Sequence, residues 1–309
     1  MTARKLISFD WALKKLLRSR ANYEVLEGFL SELLKDDIEI LEILESESNR
    51  EQARDKLNRV DLKVKNQKGE LILIEVQYEW EFDFFQRILF ATAKAITEHM
   101  AKSDIYANVV KLISISILYF DLGQGKDYVY RGATRFVGTH YHDELLLNEK
   151  QQQLFGKKHP HELYPEYYLL KINQFDDIAR DPLDEWIYFL KNEEIKGEFR
   201  AKGLEKAREI LDVMKLSEEE RLAYERHIED MRYQASMFRS SFLDGLLEGR
   251  SEGLREGLAQ GKAEGKAEGK AEEKAEGKRQ FARMMKENGE PLEKIVTYTQ
   301  LTPEEITGL

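Results

Sequence analysis

The sequence predicts an α/β domain, a mixed sheet flanked by helices, followed by a helical C-terminal extension. Three observations predict it. Residues 58–77 read as two strands joined by a short polar turn. A long amphipathic run at 82–102 is followed by a nearly uninterrupted apolar run at 109–120, the order of a helix and then a buried strand. Beyond residue 178, strand-like segments give way to helical periodicity.

Along the chain, residues 5–18 set Leu6, Phe9, Leu13, Leu16 and Leu17 at helical spacing, and about 22–36 form a second helix. Ile38 to Ser46 mixes apolar residues with acids and reads as a strand leading to the hairpin. The 82–102 helix carries Phe84, Phe85, Ile88, Leu89, Ala95 and Ile96. Tyr128 to Val137 and Tyr167 to Ile172 are further strands, separated by a polar excursion at about 143–166. Helices are expected at 182–192, 196–214 and from 217 onward.

The hairpin carries the chemistry. Asp61, Lys63 and Lys65 alternate with Leu62 and Val64, while Leu71 to Ile74 form an apolar strand that ends in Glu75-Val76-Gln77. A turn centred near Lys68 brings Asp61 opposite Glu75 to within about one residue, with Cβ atoms about 4.5–5.5 Å apart if directly paired. Two carboxylates that close repel unless a cation lies between them. Spacing alone also fits two surface strands whose acids face water. Against that, Glu75 closes a strand that should be buried, where an unpartnered charge is costly. Gln77 and Lys63 share its face.

These residues resemble the PD-(D/E)XK nuclease superfamily, and within it the Rpn branch, recombination-promoting nucleases or putative transposases. Phe9-Asp10-Trp11-Ala12-Leu13-Lys14-Lys15-Leu16-Leu17 is similar to its opening Asp-x-x-Phe-Lys-x-Leu-Phe helix, with Leu13 replacing Phe. Asp61-Leu62-Lys63 and Glu75-Val76-Gln77 match its two site strands. Arg87 matches the arginine of its next helix, Tyr106 the tyrosine after that helix, and Leu112-Ile113-Ser114-Ile115-Ser116-Ile117-Leu118 its next core strand. The Gly-rich tail and the closing Leu301-Thr302-Pro303-Glu304-Glu305-Ile306 are also similar to it. The resemblance implies an αβββαβ restriction-endonuclease-like core and metal-dependent hydrolysis of DNA phosphodiester bonds. It further implies that Asp61, Glu75 and the Val76 carbonyl ligate Mg²⁺ or Mn²⁺, hard ions that take oxygen ligands. Asp10 would hold water near the ion. Gln77 stands where the superfamily carries lysine, so Lys63 would supply the missing charge and Arg87 would clamp a DNA phosphate. A catalytically degenerate nuclease fold serving DNA binding or assembly is the competing reading.

Composition sets limits. The net charge of −10 argues against nucleic-acid binding by bulk electrostatics. Without cysteine there is no disulfide and no Cys-ligated zinc or iron–sulfur cluster. No stretch is apolar enough for a membrane span, and the N-terminus lacks a secretory h-region, so a cytoplasmic protein with no membrane partner is expected.

Glycine recurs at every fourth position from Gly245 to Gly277, with one gap at Glu273. In a helix this row drifts by about 40° per repeat, and each interior glycine costs about 0.5–1 kcal/mol against alanine. The segment reads either as a helix that multimerises the chain or as a solvated linker. His140-Tyr141-His142 and His159-Pro160-His161 each set two imidazoles together, a pairing that zinc could use, though exposed loop histidines are the expected reading. Gly123-Gln124-Gly125-Lys126 lacks Walker spacing and reads as a turn. Trp11, Trp80 and Trp186 are expected to pack in the interior. Glu79, Glu81 and Asp83 read as a solvated acidic run, with Glu79 close enough to bias the field of a metal at the site. The expected division is a nuclease-like domain at 1–178, a helical region at 179–240, the glycine repeat at 241–280 and a short helical motif at 281–309.

Overall fold

The computed structural model describes residues 6–15, 19–44, 61–100 and 105–309. Leu16, Leu17, Glu45, Ser46, Asn58 to Val60 and the expected helix end at 101–102 lie outside them. The first helix starts later than the spacing suggested: α1 is Phe9–Lys15. Leu6 instead bridges Asp212, and the Ile7 N–H donates to the Leu211 carbonyl at 2.8 Å. Backbone partners from a distant segment thus claim residues whose apolar spacing alone would suit a helix. The second helix, α2, is Tyr23–Leu34, closed by Lys35 in the left-handed region.

Among the described residues, six strands form one mixed sheet, ordered β1-β2-β3-β4-β6-β5. β1 (Ile40–Leu44), β2 (Leu62–Asn66) and β3 (Leu71–Gln77) are antiparallel neighbours. Helix α3 (Phe84–His99) carries the chain to β4 (Leu112–Leu118), which runs parallel to β3. Next come β5 (Val129–Ala133) and, after a short helix α4 (Glu149–Phe155), β6 (Glu166–Lys171). β6 lies parallel to β4 and antiparallel to β5. Helix α4 starts inside the polar excursion because Asn148 and Gln151 cap its first turn reciprocally.

Alternation decides what each face meets. Ile72, Ile74 and Val76 enter the main core with Leu62, Val64 and β4. Leu71 and Leu73 point to the opposite face and pack on Ala95 of α3. The main core continues into α1, α2 and the later helices α5 (Pro182–Asn192) and α6 (Leu204–Ile210). Phe9, Phe29, Trp186 and Phe189 meet there, ring centroids 5.5–6.3 Å apart. Burying each such side chain contributes about 1.5–3 kcal/mol. Helices α5 and α6 therefore belong to the sheet's own core. By its contacts the chain forms two compact units, Met1–Tyr233 and Gln234–Leu309.

The expected helix at 196–214 is realised only as α6. Gly203 interrupts it with φ +82°, where an added Cβ would fall 2.8 Å from the Glu24 carbonyl oxygen of α2. Trp11 and Trp186 are buried as expected, but Trp80 is 40% exposed against the almost fully exposed Phe82. It stands in the loop after β3, beyond the reach of the core.

The last long helix, α7, is Glu218–Glu287 and contains the whole glycine repeat as helix. A Cβ added at any of its eight repeat glycines would meet open space. In the second unit, the end of α7 joins α8 (Leu292–Thr299) and α9 (Pro303–Thr307). Ala282, Met285, Ile295 and Ile306 form a small core between them. Thr302 and Glu305 cap α9 reciprocally. Among the described residues, no helix is long and apolar enough to cross a membrane.

Candidate active site

The hairpin turn sets the register. Asn66, fully buried, accepts the N–H groups of Lys68 and Glu70 at 3.1 and 2.9 Å, and Gly69 takes φ +75°. Leu62 consequently faces Ile74, which brings Asp61, the residue before β2, level with Glu75. Asp61 Oδ2 accepts the Val76 N–H at 2.7 Å, which fixes its carboxylate beside the strand end.

Glu75 has a nearly buried side chain, and burial pushes its carboxyl above the usual range. Arg87 works in the other direction, while Asp61 and Glu81 add to the upward push. From the first turn of α3, Arg87 Nη1 donates to Glu75 Oε1. Its Nε lies 2.7 Å from Glu81 Oε2, an ion pair set off the line of the N–H. Its Nη2 is buried without a hydrogen-bond partner, and the guanidinium sits 5.1 Å from the Phe84 ring centroid. Gln77 Nε2 donates to the other oxygen of Glu81 at 3.0 Å. The chain Gln77–Glu81–Arg87–Glu75 is therefore continuous.

The structure thus brings together Asp61, Glu75, Val76, Gln77 and Arg87. It draws Lys63 and Asp10 into other pairs. Lys63 shares the α3-facing side of the sheet, but its Nζ lies 4.0 Å from Glu98, which also faces Lys94 at 3.7 Å. Asp10 is buried, with Oδ2 3.0 Å from His227 Nε2 of α7. Burial holds the phenols of Tyr78 and Tyr119 above their usual range, and the charge of Asp10 adds to the effect.

Sequence reasoning missed Glu81, Glu98 and His227. The acidic run made Glu79 the nearer candidate, yet Glu79 contributes only its backbone oxygen, 3.4 Å from Gln77 Nε2. Periodicity ends with β3, so no spacing rule reaches a loop acid. A partner on α7 lies beyond any local pattern.

The donor set suits a hard divalent ion. Two carboxylates brought level by the register lie beside a backbone carbonyl, and Glu75 is an acid whose charge burial and two neighbouring acids disfavour. Such a site gains from a cation beyond the guanidinium it shares with Glu81. Among the described residues, the one group of three ligand-type side chains within 4.8 Å lies elsewhere, at Glu144, His159 and His161. His140 and His142 are exposed.

A family model described as PD-(D/E)XK nuclease family transposase matches residues 7–240. No curated protein and no solved structure matches the chain.

Proposed function

The chain belongs to the PD-(D/E)XK nuclease family transposases, and from that membership we propose that it is a Mg²⁺- or Mn²⁺-dependent DNA endonuclease of the recombination-promoting type. The observation that carries this reading is the register that sets Asp61 level with Glu75 on the face covered by Arg87. Asp61, Glu75 and the Val76 carbonyl would hold the ion, which supplies Lewis acidity toward water and phosphate. Nη2 of Arg87 is buried without a partner, and a side-chain movement that uncovers it would let it bond a phosphate oxygen, a charge-assisted bond of the kind guanidinium makes well. Glu81, gripped by Gln77, keeps Arg87 from swinging away when Glu75 turns to a metal. The cation beside Glu75 is Arg87, so it takes over the role expected of Lys63. Asp10 pairs with His227, and its charge reaches Tyr78, the residue after β3, so it would act on the site from behind the strand end, without touching the ion. The exposed pair Trp80 and Phe82 flanks Glu81 and offers stacking surface to a displaced base.

One observation favours the degenerate alternative: Arg87 pairs with Glu75 and so supplies a positive charge where a metal ion would otherwise be needed. The two readings separate on supercoiled plasmid incubated with Mg²⁺ or with EDTA. Nicking is expected with Mg²⁺ alone, and Asp61→Ala and Glu75→Ala should each abolish it while circular dichroism stays unchanged. Wild-type rates in both variants would remove the site assignment. No nicking by the wild type would leave the binding or assembly reading.

A further inference from the structure

Away from the acid pair, three ligand-type side chains converge on one point. Glu144 leaves a turn in which the Gly138 N–H donates to the Asp143 carbonyl at 2.8 Å, and it bridges back to Val137. His159 and His161 flank Pro160 at the entrance of a 3-10 turn. The Glu162 carboxylate holds that entrance by accepting the N–H groups of Lys158 and His159 at 3.0 and 2.9 Å. The Leu147 N–H donates to the Lys158 carbonyl at 3.0 Å and lays the two segments side by side.

The outcome is specific in its geometry. Nδ1 of His159 lies 3.5 Å and Nδ1 of His161 3.4 Å from the same Glu144 Oε1. The imidazoles stack with centroids 4.9 Å apart. Both Nδ1 atoms are buried, and neither has a hydrogen-bond partner. These separations are too long for good hydrogen bonds. They match a different requirement: ligand atoms about 2.0–2.1 Å from a tetrahedral ion lie about 3.3–3.4 Å from one another.

We propose that Glu144, His159 and His161 form a Zn²⁺ site. Two imidazoles and a carboxylate are a zinc ligand set, with the fourth position left to water. Nitrogen donors favour Zn²⁺ over Mg²⁺, which prefers the all-oxygen set at Asp61 and Glu75. The two sites are separate. Lys157, beside the histidine turn, lies 3.9 Å from Glu70 at the turn end of the β2–β3 hairpin, whereas Asp61 and Glu75 stand at its other end. The ion clips the 136–147 segment to the 157–162 turn, immediately ahead of β6.

Untagged full-length protein, stripped with chelator and dialysed, would be titrated with Zn²⁺ against a chromogenic competitor. One equivalent is expected. His159→Ala, and the shape-conserving His161→Gln and Glu144→Gln, should each weaken binding by more than about 10²-fold, the upper end of what loss of even an outer-shell partner costs. Circular dichroism would show that each variant is folded. The Asp61→Ala, Glu75→Ala double variant should bind Zn²⁺ as the wild type does. Three results would overturn the site: no Zn²⁺ uptake, uptake unchanged in the folded histidine variants, or uptake lost only in the double acid variant.

Discussion

Arg87 divides its charge between Glu75, which it contacts through Nη1, and Glu81, 2.7 Å from its Nε. Replacing it with alanine should slow Mg²⁺-dependent nicking by about 10²-fold or more, the usual loss when a transition-state charge partner goes. Lys63→Ala should cost far less, because Lys63 faces Glu98. Equal effects would return Lys63 to the site. Glu75 and Glu166 should respond to pH with opposite signs. The raised carboxyl of Glu75 binds its proton more tightly folded than unfolded, so its contribution to stability falls as pH rises through that raised value. Glu166 is different: burial opposes its charge, but Arg131, Lys111 and Tyr168 outweigh this and hold it at about 2. Its contribution is complete above the ordinary glutamate range and is lost as pH falls toward 2. Thermal melts across pH should show Glu75→Gln raising Tm near neutrality in the absence of metal, with the gain vanishing in acid. Glu166→Gln should lower Tm near neutrality. A Glu75→Gln melt below wild type at neutral pH would show that Arg87 outweighs burial. The acid pair itself was legible in the sequence because strand alternation and a short turn fix it. Glu81 was not, because a loop carries no period.

Glycine tests the elements, since one substitution should act in opposite directions at two places. Gly28 of α2 packs so closely on the 202–203 backbone that an added Cβ would sit 2.2 Å from the Lys202 carbonyl oxygen. Backbone on both sides cannot step aside, so Gly28→Ala should destabilise by about 1–3 kcal/mol, as overpacking does. In the repeat, Gly261→Ala and Gly265→Ala meet no neighbour and should stabilise α7 by about 0.5–1 kcal/mol each. Denaturant melts followed by circular dichroism would check both signs, and a stabilising Gly28→Ala would contradict the packing described. Most elements could be read from their periods: the hairpin, β4 and α5 lie where apolar spacing puts them. Gly203 shows where the period misleads. Residues 196–203 have helical composition, but the close approach of α2 demands a left-handed turn that no local pattern announces.

For the whole molecule, the informative cut is the one between Tyr233 and Gln234. Deleting residues 240–309 keeps Tyr224 and His227 and should leave a folded, metal-binding unit, as thermal melts would show. If the repeat helix multimerises the chain, light scattering should show a lower oligomer for the truncated protein. Equal monomeric masses would make the exposed helix a spacer. Cutting at 217 instead should lower stability sharply, because it strips the Asp10 and Ser8 partners from α7. The sequence hinted at the first boundary by composition, but the second rests on contacts across more than two hundred residues. That separation also implies an order in time. The acid pair and Arg87 lie within 61–87, so a hairpin and one following helix complete their neighbourhood through short loop closures. Ser8 and Tyr224 are 216 residues apart, and their contact waits until α7 has been made. During synthesis the acid pair is therefore expected to assemble, once β4 has joined β3, well before the N-terminal segment is clasped. Trp11, its ring 5.5 Å from that of Tyr224, is the natural clock for the final step.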